Sequence, residues 1–490
     1  MSFILRPYQT EMVSRTREKL RTNKAVLLQA PTGAGKTAIG ANMVDSAVKK
    51  NNTCFFIVHR QELIEQTMEA FTKQEIPFGV VAAGYYPSPY QPVQICSIGT
   101  LKNRIDKLPI RPKVILWDEC HHVAAGGWAK VFHGYSEAQH IGLSATPERL
   151  DGQGLGEWFD AMVVGPSIRW LIDEGYLVDY KLFGSDITPD LSKVKSNMGD
   201  FAIGEVSSAM DKPTITGDAI EHYLRHARGK RFLSFGTSRV HSQHISDQFQ
   251  TNGVMAIHVD GETDKNDRRM AMQGFRANNI TGLSNVDLFG EGVDVPAVEC
   301  LIDLGPSKSL GKVMQRWGRV LRPVYAPGFD LNTREGRLAA IAASVKPYAI
   351  ILDHAANWKR HGFPDQDRIW SLDSKKRKKK PNDGVMARQC PNCHHLHPRA
   401  PACPVCGYIY PVNSREVDYI DGELQEISVN QRKARNRALL QKARTLPELI
   451  TLAIMWEIPN PELWAENILE ERKKYRTQKI RSYYGNRTGN

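Results

Sequence analysis

Residues 30–37, Ala-Pro-Thr-Gly-Ala-Gly-Lys-Thr, bring two glycines, an ammonium and a hydroxyl into one short turn. Gly33 and Gly35 permit a tight backbone turn in which successive N–H groups and a helix N-terminus aim at a single anion, with Thr32 and Ala34 completing the cradle. Lys36 adds a point charge suited to the β- and γ-phosphates of a nucleotide, and the Thr37 hydroxyl suits Mg²⁺. Such a loop needs a strand before it and a helix after it. Residues 25–28 supply an apolar strand-like run and residues 38–48 a helix-like one. The expected cofactors are therefore ATP and Mg²⁺.

A second acidic element completes this chemistry. Val-Ile-Leu-Trp at 114–117 reads as a strand and runs straight into Asp118 and Glu119. In a parallel sheet the C-terminal end of a strand lands beside the phosphate loop. Asp118 is thereby placed to hold Mg²⁺, directly or through water, and Glu119 to polarise an attacking water. A strand ending in Asp-Glu is common, and it gains its meaning from the loop that precedes it.

Asp118-Glu119-Cys120-His121 resembles the DExH motif of the superfamily 2 helicases, and the likeness runs along most of the chain. Ser144-Ala145-Thr146 resembles the element with which that family couples hydrolysis to movement between lobes. Residues 315–322 fill the pattern QxxGRxxR. The resemblance implies that Gln315 belongs to the catalytic centre. It also implies that Arg319 and Arg322, planar and permanently charged, stabilise the departing γ-phosphate, a role in which an arginine contributes about 10³ to 10⁵ in rate. Residues 57–60 and 97–100 resemble motifs that touch the nucleic-acid backbone, implying contacts from Arg60 and Thr100. Residues 232–235 and the run from Asn285 to Asp294 resemble later motifs, implying nucleic-acid contacts from Ser234 and Asn285 and nucleotide contacts from Gly292 and Asp294. Residues 5–9 resemble the element in which a glutamine, here Gln9, reads adenine; a proline opening a helix accounts for the same residues. Residues 142–151, 289–298, 305–310 and 351–357 resemble the bacterial RadD-like and phage helicase group most closely, within a likeness covering residues 3–410. Lys308, Gly311 and Lys312 depart from it where relatives carry a threonine-containing run.

At 490 residues and 41% apolar, the chain exceeds what one core sustains. Two stretches alternate strand-like and helix-like segments. The expected fold is α/β, with two tandem RecA-like doubly wound parallel-sheet lobes: an ATP-binding lobe at 1–165 and a second at 216–370 that brings the arginines. Residues 166–215 read as a junction and 371–389 as a basic linker.

After the linker comes Cys390-x₂-Cys393-x₉-Cys403-x₂-Cys406, spacing that fits a tetrahedral Cys₄ Zn²⁺ ribbon at 390–411. Disulfides are the alternative, and His394, His395 or His397 could replace a thiolate. Residues 412–490 read as a basic helical tail, with capping-box spacing from Thr445 to Glu448. Of the net charge of +12, residues 371–490 carry +9, from 22 Lys and Arg against 13 Asp and Glu. Six consecutive basic residues at 375–380 are too charged for a core and would hold a polyphosphate by counterion release. With neither a signal peptide nor an apolar run of membrane-spanning length, a cytoplasmic protein is expected, in a bacterium or in a host cell if viral.

These features converge on an ATP-dependent DNA helicase or translocase of replication, recombination or repair, with DNA, single-stranded-DNA-binding proteins and replication or repair proteins as partners. Three alternatives stand beside it: an RNA helicase, the motor subunit of a restriction complex, and a nucleic-acid-binding platform whose ATPase is inactive.

Overall fold

The computed structural model describes residues 5–149, 153–185, 213–286 and 298–373, with shorter pieces between 194 and 210 and between 387 and 470. Its frame is two seven-stranded sheets. The first contains β1 (Ala25–Gln29), β2 (Cys54–Val58), β3 (Phe78–Val81), β4 (Val93–Ser97), β5 (Val114–Asp118), β6 (Gln139–Ser144) and β7 (Ala161–Val164), ordered β3-β4-β2-β5-β6-β1-β7. All its pairings are parallel. Every residue of β1 and β2 is buried, because helices cover both faces and the strands read as unbroken apolar runs. Parallel pairing also sends the C-terminal ends of all seven strands to one edge, which collects the chemistry there.

The second sheet contains β8 (Tyr180–Ser185), β11 (Phe232–Phe235), β12 (Ala256–His258), β13 (Gly282–Asn285), β14 (Cys300–Asp303), β15 (Ala349–Asp353) and β18 (Leu424–Glu426), ordered β12-β13-β11-β14-β15-β8-β18. Two small pairs stand apart: β9 (Ser196–Asn197) with β10 (Asp200–Phe201), and β16 (Ala387–Gln389) with β17 (Leu396–Pro398).

Two expectations about boundaries change. The 166–215 segment is not only a junction, since β8 pairs in parallel with β15 and belongs to the second sheet. Likewise the tail contributes a strand, β18, which pairs antiparallel with β8. Apolar alternation identifies a strand but not the sheet it joins, so position in sequence misplaced both. Elsewhere in the tail, Leu446–Met455 is a helix, and Leu449, Leu452 and Ala465 are buried in a small cluster with Trp464 and Ile468. The four zinc-motif cysteines, the basic run at 375–380, and Gly292 and Asp294 lie outside the described residues.

Helix Leu310–Val320 lies between the lobes. Residues Val313 to Val320 are all buried, as befits a helix covered on every side. Towards its own sheet, Arg316 Nη1 donates to Asp303 Oδ1 (3.2 Å) and to the Gly305 carbonyl (2.7 Å), and Trp317 Nε1 donates to Asp303 Oδ2 (3.2 Å). The opposite side faces the phosphate loop. One continuous apolar cluster, from Tyr8 and Leu28 through Leu177 to Leu301 and Trp317, spans both lobes.

Candidate nucleotide site between the lobes

The loop expected to hold phosphate has the backbone such a loop needs. Gly33 (φ +91°) and Gly35 (φ +82°) both occupy the left-handed region, where a side chain would be strained. Gly35 caps helix Lys36–Val48; the first N–H groups of any helix have no acceptor within it. Gln9 and Tyr8 brace the loop from behind: Gln9 Nε2 and the Tyr8 hydroxyl each donate to the Ala34 carbonyl at 2.9 Å, while Gln9 Oε1 accepts from the Arg6 N–H (3.0 Å). A Cβ on Gly35 would collide with the Gln9 amide. Thr37 faces solvent.

Beside the loop, β5 delivers Asp118 and Glu119. Glu119 has φ +50°, ψ +53°, an unusual left-handed conformation for a non-glycine residue that costs on the order of 1 kcal/mol or more and persists only where the surroundings enforce it. The consequence is that its carboxylate turns inward. Glu119 is 5% exposed and meets three groups: Lys36 Nζ at 3.7 Å, His121 Nδ1 at 3.4 Å, and Gln315 Nε2, arriving from the other lobe, at 3.4 Å. Burial, and then the charge of Glu119, push the Asp118 carboxyl up to about 6, while Lys36 pulls it down. The Thr37 hydroxyl and the Asp118 carboxylate are hard oxygen donors of the kind Mg²⁺ takes. With the open helix N-terminus and Lys36, they fit a magnesium–nucleotide complex.

The structure also joins motifs that the sequence could only list in order. His121 Nδ1 lies 3.3 Å from Ser144 Oγ, which donates to the Thr146 carbonyl (2.9 Å) and accepts from the Thr146 N–H (3.2 Å). His121 thus links the carboxylate to the element suspected of coupling. Across the cleft, the lobes touch where Gly318 meets Thr32; a Cβ on Gly318 would collide with the Thr32 side chain. Arg319 is buried in the interface at 4% exposure, and Arg322 packs by Gly33. Around Lys308, Asp200 accepts from the Ser307 hydroxyl (2.8 Å) and the Lys308 N–H (2.7 Å) and pairs with Lys312 (3.4 Å). These bonds hold the Asp200 carboxyl low against the opposing effect of its burial. Gly318 and Asp200 were missed as site-building residues; the glycine spacing in 315–322 was the available signal for the first, and there was none for the second.

The nucleic-acid candidates divide. Arg60 and Thr100 are half-buried at the C-terminal edge of the first sheet, and Arg60 Nε lies 3.2 Å from His59 Nε2. Ser234 and Asn285 are fully buried, and the Asn285 amide donates to the Ser234 carbonyl at 2.9 Å. In this conformation both lie enclosed at the ends of adjacent strands. Beyond β11, Arg239 is exposed and pairs with Asp260 (3.1 Å) and Glu262.

Residues 2–149 match the family described as "Type III restriction enzyme, res subunit" and residues 216–324 match "Helicase conserved C-terminal domain". The chain is 31% identical over 405 residues to a 51.5 kDa protein of a Lactococcus phage (isolate 7-9), covering 82% of each. It is 23% identical to the DNA 3'-5' translocase XPB2 of Sulfurisphaera tokodaii, covering 65% of this chain and 78% of that one. Two yeast proteins, 28% and 27% identical, are spanned over 49% and 55% of their length. Among solved structures, the ATP-dependent Type ISP restriction-modification enzyme LlaBIII bound to DNA shares the fold, with a TM-score of 0.50 at 16% identity over 74% of this chain and 32% of that one. With these two families matched in order along the chain, it belongs to the superfamily 2 helicases and is an ATP-dependent helicase enzyme.

Proposed function

We propose that this enzyme is a DNA motor that couples hydrolysis at Lys36, Asp118 and Glu119 to opening and closing of the two lobes on a strand. The observation that carries this reading is the cleft itself: Gln315 reaches Glu119 and Gly318 abuts Thr32, so one helix of the second lobe senses whatever the phosphate loop holds. ATP supplies the scissile phosphoanhydride, and Mg²⁺ neutralises its charge. Lys36 and the loop N–H groups bind the phosphates, Glu119 orients water, and Arg319 and Arg322 close on the γ-phosphate from the other side. Arg60 and Thr100 position the strand on the first lobe. Gln9, by bracing Ala34, sets the shape of the loop next to the adenine it is expected to read.

DNA is favoured over RNA by the similar proteins, a DNA translocase and a restriction-modification enzyme bound to DNA. The match to a restriction-enzyme subunit family supports a second reading, the motor of a restriction complex working with a partner nuclease. Replication or repair proteins and single-stranded-DNA-binding proteins remain the proposed partners, in a bacterial cytoplasm or that of a host. No described helix is long and apolar enough to cross a membrane. For the C-terminal part we infer a Cys₄ Zn²⁺ ribbon, supported by the antiparallel pair β16 and β17, which brackets Cys390 and Cys393 in sequence.

ATPase assays against single-stranded, forked and duplex DNA and RNA test the motor: DNA should stimulate turnover in the wild type and not in Lys36→Ala. An enzyme indifferent to every nucleic acid would sink this reading.

A further inference from the structure

β2 and β5 are parallel neighbours with Ile57 opposite Trp117, so His59 and Arg60 leave the sheet beside Asp118 and Glu119. The short turn Cys120–His122 that follows Glu119 brings two more imidazoles to this edge. Together these residues make an unbroken row of contacts. Arg60 Nε donates to His59 Nε2 at 3.2 Å. The His59 ring centre lies 5.1 Å from that of His122, and the His122 centre 4.2 Å from that of His121. His121 Nδ1 closes the row, 3.4 Å from Glu119 Oε2. One end is the guanidinium assigned above to the nucleic-acid backbone, and the other is the carboxylate assigned to the attacking water.

The row lies on a stiff floor. Trp128, buried on helix Gly126–Gly134, has its ring centre 6.3 Å from that of His59 and 5.7 Å from that of His122. Trp128 in turn stacks on Trp117 (5.8 Å, 30° between planes), and Trp117, fully buried, donates through Nε1 to His140 Nδ1 at 3.0 Å. Close-packed interiors have low compressibility and pass strain on. A shift of Arg60 toward a phosphate therefore pulls on His59, and His59 moves against His122 rather than sinking into the core. Imidazoles are flat and turn about two bonds only, so little of the movement is lost among rotamers. At the far end His121 also lies 3.3 Å from Ser144 Oγ. The displacement thus arrives where Glu119 meets the element at residues 144–146.

We propose that His59 and His122 are positioning residues that transmit occupancy of Arg60 by a nucleic-acid strand to Glu119, so that the carboxylate is set for water when a strand is held. This rests on the nucleic-acid motor reading above. The test is ATP turnover as oligothymidine is titrated, with affinity for the same strand read separately by fluorescence anisotropy. In His122→Ala, turnover without DNA and affinity for the strand should match the wild type, while maximal stimulation falls about 3- to 30-fold. His122→Phe restores a flat ring between its neighbours and should keep most of the stimulation. Because links in series fail together, His59→Ala/His122→Ala should lose no more than His122→Ala alone. Wild-type stimulation in His122→Ala would overturn the proposal, as would equal losses in the alanine and phenylalanine variants or losses that multiply in the double variant. Turnover that falls equally with and without DNA would make His122 a support of the catalytic site rather than a link, and overturns it too. If no DNA or RNA stimulates the wild type, the motor reading fails and takes this one with it.

Discussion

Both lobes set polar residues at the C-terminal ends of parallel strands, but the first leaves them open to a ligand and the second consumes them internally. In the first, Thr37 is exposed and Lys36 stands 3.7 Å from Glu119, longer than a hydrogen bond. In the second, Asn285, Asp303 and Asp353 are all fully buried. Asp303 accepts from Arg316, Trp317 and Asn357, and Asp353 from the N–H groups of Ala355 and Trp358. Burial and the nearby Asp303 push the Asp353 carboxyl up to about 7. The difference shows how one architecture serves two purposes. Groups with unspent bonding capacity bind ligands, whereas saturated ones stiffen the frame. The second lobe therefore acts through helix Leu310–Val320, whose inner face Asp303 anchors.

The largest expected effect separates the two uses. Lys36→Ala and Arg319→Ala should each lower DNA-stimulated ATP turnover by about 10³ or more while leaving the thermal midpoint nearly unchanged; a tenfold effect from either would break the assignment. Asp303→Ala should do the reverse. It strands the buried Arg316 guanidinium and should cost about 3–5 kcal/mol of stability, read as an early urea midpoint. Midway between them, Gly318→Ala places a methyl against Thr32 where none fits. Overpacking of about 1–3 kcal/mol should fall on the closed cleft, raising KM for ATP tenfold or so while unstimulated turnover at saturating ATP changes little. An unchanged KM would mean that the lobes do not close through this contact.

The phosphate loop, Asp118-Glu119 and the arginine helix were legible because each depends on local spacing: two glycines that need positive φ, a strand that ends in carboxylates, arginines three residues apart. The two-lobe plan was legible from alternation. Long-range choices were not. Nothing within residues 180–185 or 424–426 says which sheet edge they complete, and the inward turn of Glu119 is imposed by Lys36, His121 and Gln315 together. The same limit applies to Ser234 and Asn285, since a polar residue in a strand reads the same whether it is open to a ligand or enclosed.

Asn285 offers the finest test of the contrast. Its amide spans from β13 to the Ser234 carbonyl on β11, so Asn285→Ala should leave a buried acceptor short of a partner and cost about 1–3 kcal/mol. The loss belongs to the folded frame. DNA affinity and its salt slope, measured well below the thermal midpoint, should match the wild type, in contrast to Arg60→Ala, which keeps the midpoint and loses about one unit of slope. If instead Asn285→Ala weakened DNA binding with its midpoint intact, this strand end would have to open to the nucleic acid in another state of the lobes. The second lobe would then hold its ligand groups in reserve rather than spend them.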